Sequence, residues 1–156
     1  MLSTLHTNDA PGAATRLVDM GIAPYLISST VIGVLAQRLV RKLCTHCREG
    51  CEASEGELER LQLTPEQQGK VQFHRARGCA HCRNTGYQGR IALYELMPMN
   101  NEIREGIQAG MNAAQLRQVA LKAGMRSLKY DGLAKVHQGI TSAGEVIRVM
   151  FASDVL

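Results

Sequence analysis

The sequence predicts an α+β chain, mostly helical, with a small cysteine-bearing β subdomain ahead of a helical carboxy-terminal subdomain. Three observations predict it. Two C-x2-C turns, Cys44/Cys47 and Cys79/Cys82, flank a polar insert. A segment rich in Ile, Tyr and Leu follows the second turn. From residue 100 onward, capping residues and glycines recur at helical intervals.

Each cysteine turn has a physical purpose. The four residues form C-x2-C-x31-C-x2-C. A two-residue spacer lets a tight turn aim both sulfurs at one point, and Zn(II) accepts four thiolates tetrahedrally with little geometric preference of its own. With Cys44, Cys47, Cys79 and Cys82 all bound, no position is left for water or substrate, so the expected ion is structural and not catalytic. Zinc is favoured over the two other uses of such turns, coincidental free thiols and a thioredoxin-like redox dithiol, because two pairs occur, each beside Gly and basic residues. Cys51 lies outside both turns and reads as a half-buried free thiol. His46 and His81 sit inside the spacers, where their side chains should point away from the metal.

Composition sets the bounds. A chain of 156 residues, 45% hydrophobic, can bury a moderate core in one domain or two small ones. Its net charge of +4 is too mild to argue for nucleic acid or a membrane surface. The longest apolar run, IAPYLISSTVIGVLA, is too short to span a bilayer, and no signal-type region precedes it. Five cysteines, an odd number without an export signal, fit a reducing compartment and a cytoplasmic location.

Between the turns, the insert 48–78 is expected to be a surface elaboration. SEGELERLQ is a short polar helix, and TPEQQ places Thr64 at an N-cap with Pro65 at the first helical position. After the second turn, Gly86 and Gly89 suit a turn before a strand over Arg90–Met97. Its partner is QRLVRKLC at 37–44, an imperfectly alternating segment in which Val40 breaks the pattern. Their antiparallel pairing would bring the cysteine turns to one end.

Four helices follow. Asn101 is expected to cap EIREGIQA, Asn112 with Gln115 forms a capping box, Ser127 caps LKYDGLAKVHQ, and Ser142 with Glu145 forms a second box. Apolar positions recur at three and four, as when each helix gives one face to a shared core. Asp131, Lys135 and Arg148 read as solvated surface. At the other end, LSTLH looks like the end of a strand, the polar turn Thr7–Asp9 follows, and a helix over Ala13–Met20 stops at Gly21. With no earlier strand to pair with LSTLH, the sequence is expected to begin inside a domain.

STLHTNDAPGAATRLVDMGI, YLISSTVIGVLAQRLVRKLC, the tetracysteine pattern, GYQGR with ELM, and DGLAKVHQGITSAGEVIRV together resemble the C-terminal portion of the secretion traffic ATPases. These are the type II secretion ATPase E and type IV pilus assembly ATPase B motors, and the resemblance covers essentially the whole chain. It implies an incomplete RecA-like segment over 1–42, a tetracysteine zinc subdomain over 43–98 and a helical subdomain over 99–156. The tetracysteine marks the secretion and pilus-extension branch. The resemblance further implies a hexamer, cytoplasmic and peripheral to the inner membrane, with a membrane platform protein and cytoplasmic-ring proteins as partners. In such a motor ATP hydrolysis drives pilus or pseudopilus assembly.

By the same resemblance STLHTN is similar to the family's histidine box, which would place His6 near the terminal phosphate, and Arg16 sits where related motors carry an arginine near the nucleotide. An imidazole and a guanidinium there could orient water or stabilise phosphoryl charge. No G-x-x-x-x-G-K-[ST] phosphate loop occurs in these 156 residues. ATP and Mg(II) are therefore expected only in a full-length parent, and this chain alone is expected to be inactive. Without the missing strands, APYLISSTVIGVLA should present an apolar face that seeks cover. The alternative reading is an autonomous zinc-ribbon module whose RLVRK and HRAR bind nucleic acid. The aromatic content of 4% offers that reading no stacking platform.

Overall fold

Asp9 starts the first helix, because its carboxylate accepts a bond from the Gly12 N–H at 2.6 Å while Pro11 occupies a position where no N–H is needed. The structure, a computed structural model, describes residues 1–151. Its elements are α1 (Ala10–Asp19), α2 (Pro24–Thr30), β1 (Gly33–Leu43), β2 (Arg48–Cys51), α3 (Glu55–Arg60), α4 (Pro65–Gln68), β3 (Phe73–Ala76), β4 (Tyr87–Pro98), α5 (Asn101–Gln108), α6 (Ala113–Lys122), α7 (Leu128–His137) and α8 (Ala143–Phe151). A short 3-10 turn spans Ala80–Cys82. The chain is α+β, with two two-stranded sheets, β1 with β4 and β2 with β3.

The residues divide into two compact units, each made of two stretches of sequence. The first comprises Met1–Gln37 and Tyr94–Leu128. Here α1, α2, α5 and α6 pack around Ile27, Met97, Ile103, Ile107 and Leu116. Burying each such side chain contributes roughly 1.5–3 kcal/mol. Small residues on α1, Ala10 and Ala14, let that helix come close. The second unit comprises Arg38–Leu93 and the chain from Lys129 on. Its buried apolar residues include Val40, Leu43, Leu93, Val136 and Val146, and the insert adds Leu61, Leu63 and Phe73.

Strand β4 covers the predicted 90–97 and extends it at both ends, and its partner β1 contains most of the predicted 37–44. Val40, the residue that breaks the alternation, is fully buried. The pattern on β1 changes phase near Arg41 and Lys42, both exposed, so that Leu43 rather than Lys42 turns inward. A strand whose inward face switches cannot show clean alternation.

Other expectations are corrected. LSTLH forms no strand, and residues 1–7 adopt no regular structure. The first helix begins at Ala10, three residues early, because Asp9 caps it. The apolar run contains an unpredicted helix, α2, with Pro24 at its first position and the Ser28 hydroxyl bonded back to the Pro24 carbonyl at 2.9 Å. The insert holds the two predicted helices, yet β2 and β3 also pair antiparallel, Arg48 opposite Ala76 and Cys51 opposite Phe73. Asn100, not Asn101, caps α5 through the Ile103 N–H at 2.9 Å. Asn112 and Gln115 form the expected box. The last four helices fall in both units, α5 and α6 in the first and nearly all of α7 and α8 in the second. Lys135 is not solvated surface, since its ammonium bonds the Ala92 carbonyl at 2.9 Å and pairs with Asp131.

Candidate metal centre

The four cysteines predicted as ligands converge. Cys44 follows β1, Cys47 precedes β2, and Cys79 and Cys82 bound the 3-10 turn ahead of β4. All four sulfurs lie within 4.8 Å of one another. The closest approaches are 3.9 Å for Cys44 with Cys79, 3.8 Å for Cys47 with Cys82 and 3.7 Å for Cys79 with Cys82. These are not disulfide distances, and all the cysteines are free thiols. A tetrahedral ion about 2.3 Å from each sulfur would separate the sulfurs by about 3.8 Å, so the donor set fits such an ion.

Local backbone geometry builds this arrangement. The Cys44 N–H bonds the Gly86 carbonyl at 2.9 Å, which joins the two cysteine turns where β1 ends and β4 begins. The N–H groups of Cys79 and Gly86 point at the Cys82 sulfur from 3.2 and 3.1 Å. Burial pushes the Cys82 thiol up, but those two N–H groups, together with the neighbouring Cys79 and Cys47 thiols, outweigh it and hold the group down at about 6. Cys47 is pushed up to about 12, first by burial and then because its neighbours are sulfurs. Four sulfurs this close cannot all carry charge unless a cation shares it.

Gly86 is required here on two counts. Its φ is +74°, and a Cβ would lie 2.4 Å from the Ala76 Cβ. Gly86→Ala should cost at least ~2 kcal/mol through strain and overlap together. A urea melt of the purified variant would check this, and unchanged stability would mean that β3 gives way freely.

Outside the sulfurs, His46 and His81 stack on each other, ring centroids 4.1 Å apart and 15° from parallel. Both are exposed. Cys51 is half-buried in β2, apart from the cluster, as the sequence suggested. His6 and Arg16 belong to the first unit, His6 in the irregular amino-terminal segment and Arg16 in α1, and both are exposed.

Residues 1–148 match the family model described as type II/IV secretion system protein. The chain belongs to that family. It is 46% identical over 149 residues to the type II secretion system protein E of Pseudomonas aeruginosa, covering 96% of this chain and 29% of that protein. It is 46% identical over 151 residues to the type II secretion system ATPase E of Vibrio cholerae, again covering 96% and 29%. With the type IV pilus assembly ATPase PilB of Thermus thermophilus it shares 44% identity over 147 residues, 94% of this chain and 16% of that protein. This chain thus spans less than a third of the length of these relatives. Among the described residues no helix is long and apolar enough to cross a membrane.

Two buried carboxylates in this family member escaped the sequence reading. Glu145 is 2% exposed and is held by Arg41 and Arg148, and Arg148 itself lies at the surface as expected while its guanidinium reaches the buried carboxylate. The Glu145 N–H does bond the Ser142 hydroxyl at 3.3 Å, but the carboxylate serves the two arginines. Glu95 is 1% exposed, at the position two before the buried Met97. That alternation was the available signal, since a carboxylate in register with inward-facing apolar residues must be paired.

Proposed function

We propose that this chain is the zinc-bearing, carboxy-terminal portion of a hexameric assembly ATPase that powers type II secretion pseudopilus or type IV pilus assembly. The observation that carries this reading is the four-sulfur cluster in a chain that matches the secretion family from residue 1 to residue 148. Cys44, Cys47, Cys79 and Cys82 hold one structural Zn(II), which ties the two turns together across the 31-residue insert. The ion's contribution is cohesion, because four protein ligands leave it no open position.

In the assembled motor, His6 and Arg16 lie toward the nucleotide, and ATP and Mg(II) are held by a phosphate loop elsewhere in the longer protein. The chain by itself turns over no ATP. Its working place is the cytoplasmic face of the inner membrane, docked on platform and ring proteins. The division into a RecA-like segment over 1–42, a zinc subdomain over 43–98 and a helical subdomain over 99–156 belongs to the same reading.

Metal analysis by plasma emission, paired with thiol titration before and after chelation, tests the proposal. One zinc per chain, with four further thiols released by the chelator, is the expected outcome. Metal-free protein carrying a disulfide would replace the structural ion with a redox pair.

A further inference from the structure

In the first unit, Glu95 accepts bonds from the backbone N–H of Ala10 at 3.0 Å and of Leu128 at 3.2 Å. Arg117, on α6, places one terminal nitrogen 3.7 Å from Glu95 and pairs through the other with Asp9. Asp9 in turn caps α1 through Gly12. One guanidinium therefore bridges two carboxylates, and both of those carboxylates bind the first turn of the same helix.

This is more than a helix start requires. Asp9 alone satisfies the usual cap, and a typical N-cap needs no second carboxylate and no arginine from another helix. The added groups fix the direction in which the chain enters α1. A planar guanidinium suits the task because its fork reaches two acceptors at set angles, whereas an ammonium is a point charge. It also separates two carboxylates that would otherwise repel. His6 lies three residues before Asp9 in a segment without regular structure, and the Thr7 hydroxyl bonds the Asp9 carbonyl at 3.2 Å. Arg16 lies seven residues after Asp9, on α1 itself. The two residues assigned above to the nucleotide thus flank the bridged turn along the chain.

We propose that Arg117 and Glu95 are positioning residues, which set the path of the His6 segment relative to Arg16 through Asp9. The functional importance of that geometry rests on the assembly-ATPase reading of His6 and Arg16. Arg117 and Glu95 themselves touch neither residue in the contacts described.

The test uses the whole 156-residue chain, with backbone order parameters and amide exchange measured by NMR on the unmodified protein, Arg117→Ala, Arg117→Lys and Glu95→Gln. In Arg117→Ala the Ala10 and Gly12 amides should exchange about tenfold faster and residues 5–8 should gain motion, while the Cys44 amide keeps its protection. Arg117→Lys should restore the Asp9 contact in part and give an intermediate result. Glu95→Gln keeps an acceptor for one N–H, so Ala10 or Leu128, but not both, should retain protection. Unchanged exchange at Ala10 and Gly12 in Arg117→Ala would overturn the proposal. So would a loss spread evenly to Cys44, since that is general destabilisation. The nucleotide reading is tested separately, by His6→Ala in the full-length ATPase. Unchanged kcat there would remove the role of His6 without altering the exchange result.

Discussion

Cys82→Ser is expected to release the metal and unfold the second unit's cysteine turns, with the largest loss of stability of any single substitution in the chain. Cys82 is 6% exposed, and its sulfur receives the N–H groups of Cys79 and Gly86. A serine oxygen is a harder and poorer ligand, set closer to the backbone, so three sulfurs and a misplaced hydroxyl would remain. Structural zinc in small peptides carries apparent binding free energies of about 10–16 kcal/mol near neutral pH. Here Leu61, Leu63 and Phe73 give the insert a core of its own, so only part of that stability depends on the ion. Circular dichroism melts with and without chelator would measure it. Chelation should lower the melting temperature of the unmodified protein and leave Cys82→Ser unchanged. Cys51→Ser is the control, because that thiol lies outside the cluster. Equal melts for Cys82→Ser and Cys51→Ser would mean that the four sulfurs hold nothing.

That cluster was the most legible feature of the sequence, for a physical reason. Two short spacers each fix a local turn, and four sulfurs placed to bind one ion must converge, so local spacing predicts a long-range contact. Some helix starts were legible too, because Thr64 and Asn112 act on N–H groups within three residues. The misses are features whose partners lie far away. Asp9 reads as one turn residue among several until Arg117 is known to approach it. The pairing of β2 with β3 depends on the segments REGC and FHRA, too short and too polar to show alternation. The α2 helix was hidden in a run of Ile, Ser, Thr and Val whose β-branched residues favour a strand. Lys135 looked like an ordinary charge on a helix, and only the fold brings the Ala92 carbonyl to it, just as only the fold brings Arg41 to Glu145.

Glu145→Ala should destabilise the second unit by roughly 3 kcal/mol, near the lower end for breaking a buried ion pair because the two arginines are about half exposed. Every acceptor site of the carboxylate is engaged. Arg41 approaches with its backbone N–H at 2.8 Å and its guanidinium at 2.8 Å, and Arg148 with two nitrogens at 3.1 and 3.0 Å. Arg41 also lies 4.1 Å above the Tyr87 ring, whose hydroxyl is 2.9 Å from the Ser142 hydroxyl. Burial alone would push this carboxyl up, but the bonds from Arg148 and Arg41 outweigh it and bring the group down to about 2. A carboxyl lowered from 4.5 in the unfolded chain to about 2 in the fold stabilises the protein fully above pH 4.5. That stability, on the order of 3 kcal/mol, is lost as pH falls from about 4.5 toward 2. Glu145→Gln keeps the shape and one acceptor but not the charge, so at pH 7 it should cost about the pH-linked stability it removes, ~3 kcal/mol. Urea melts of the unmodified protein and Glu145→Gln should accordingly differ at pH 7 and converge toward pH 2. A gap that stays constant over that interval would show that the arginines hold Glu145 by shape alone.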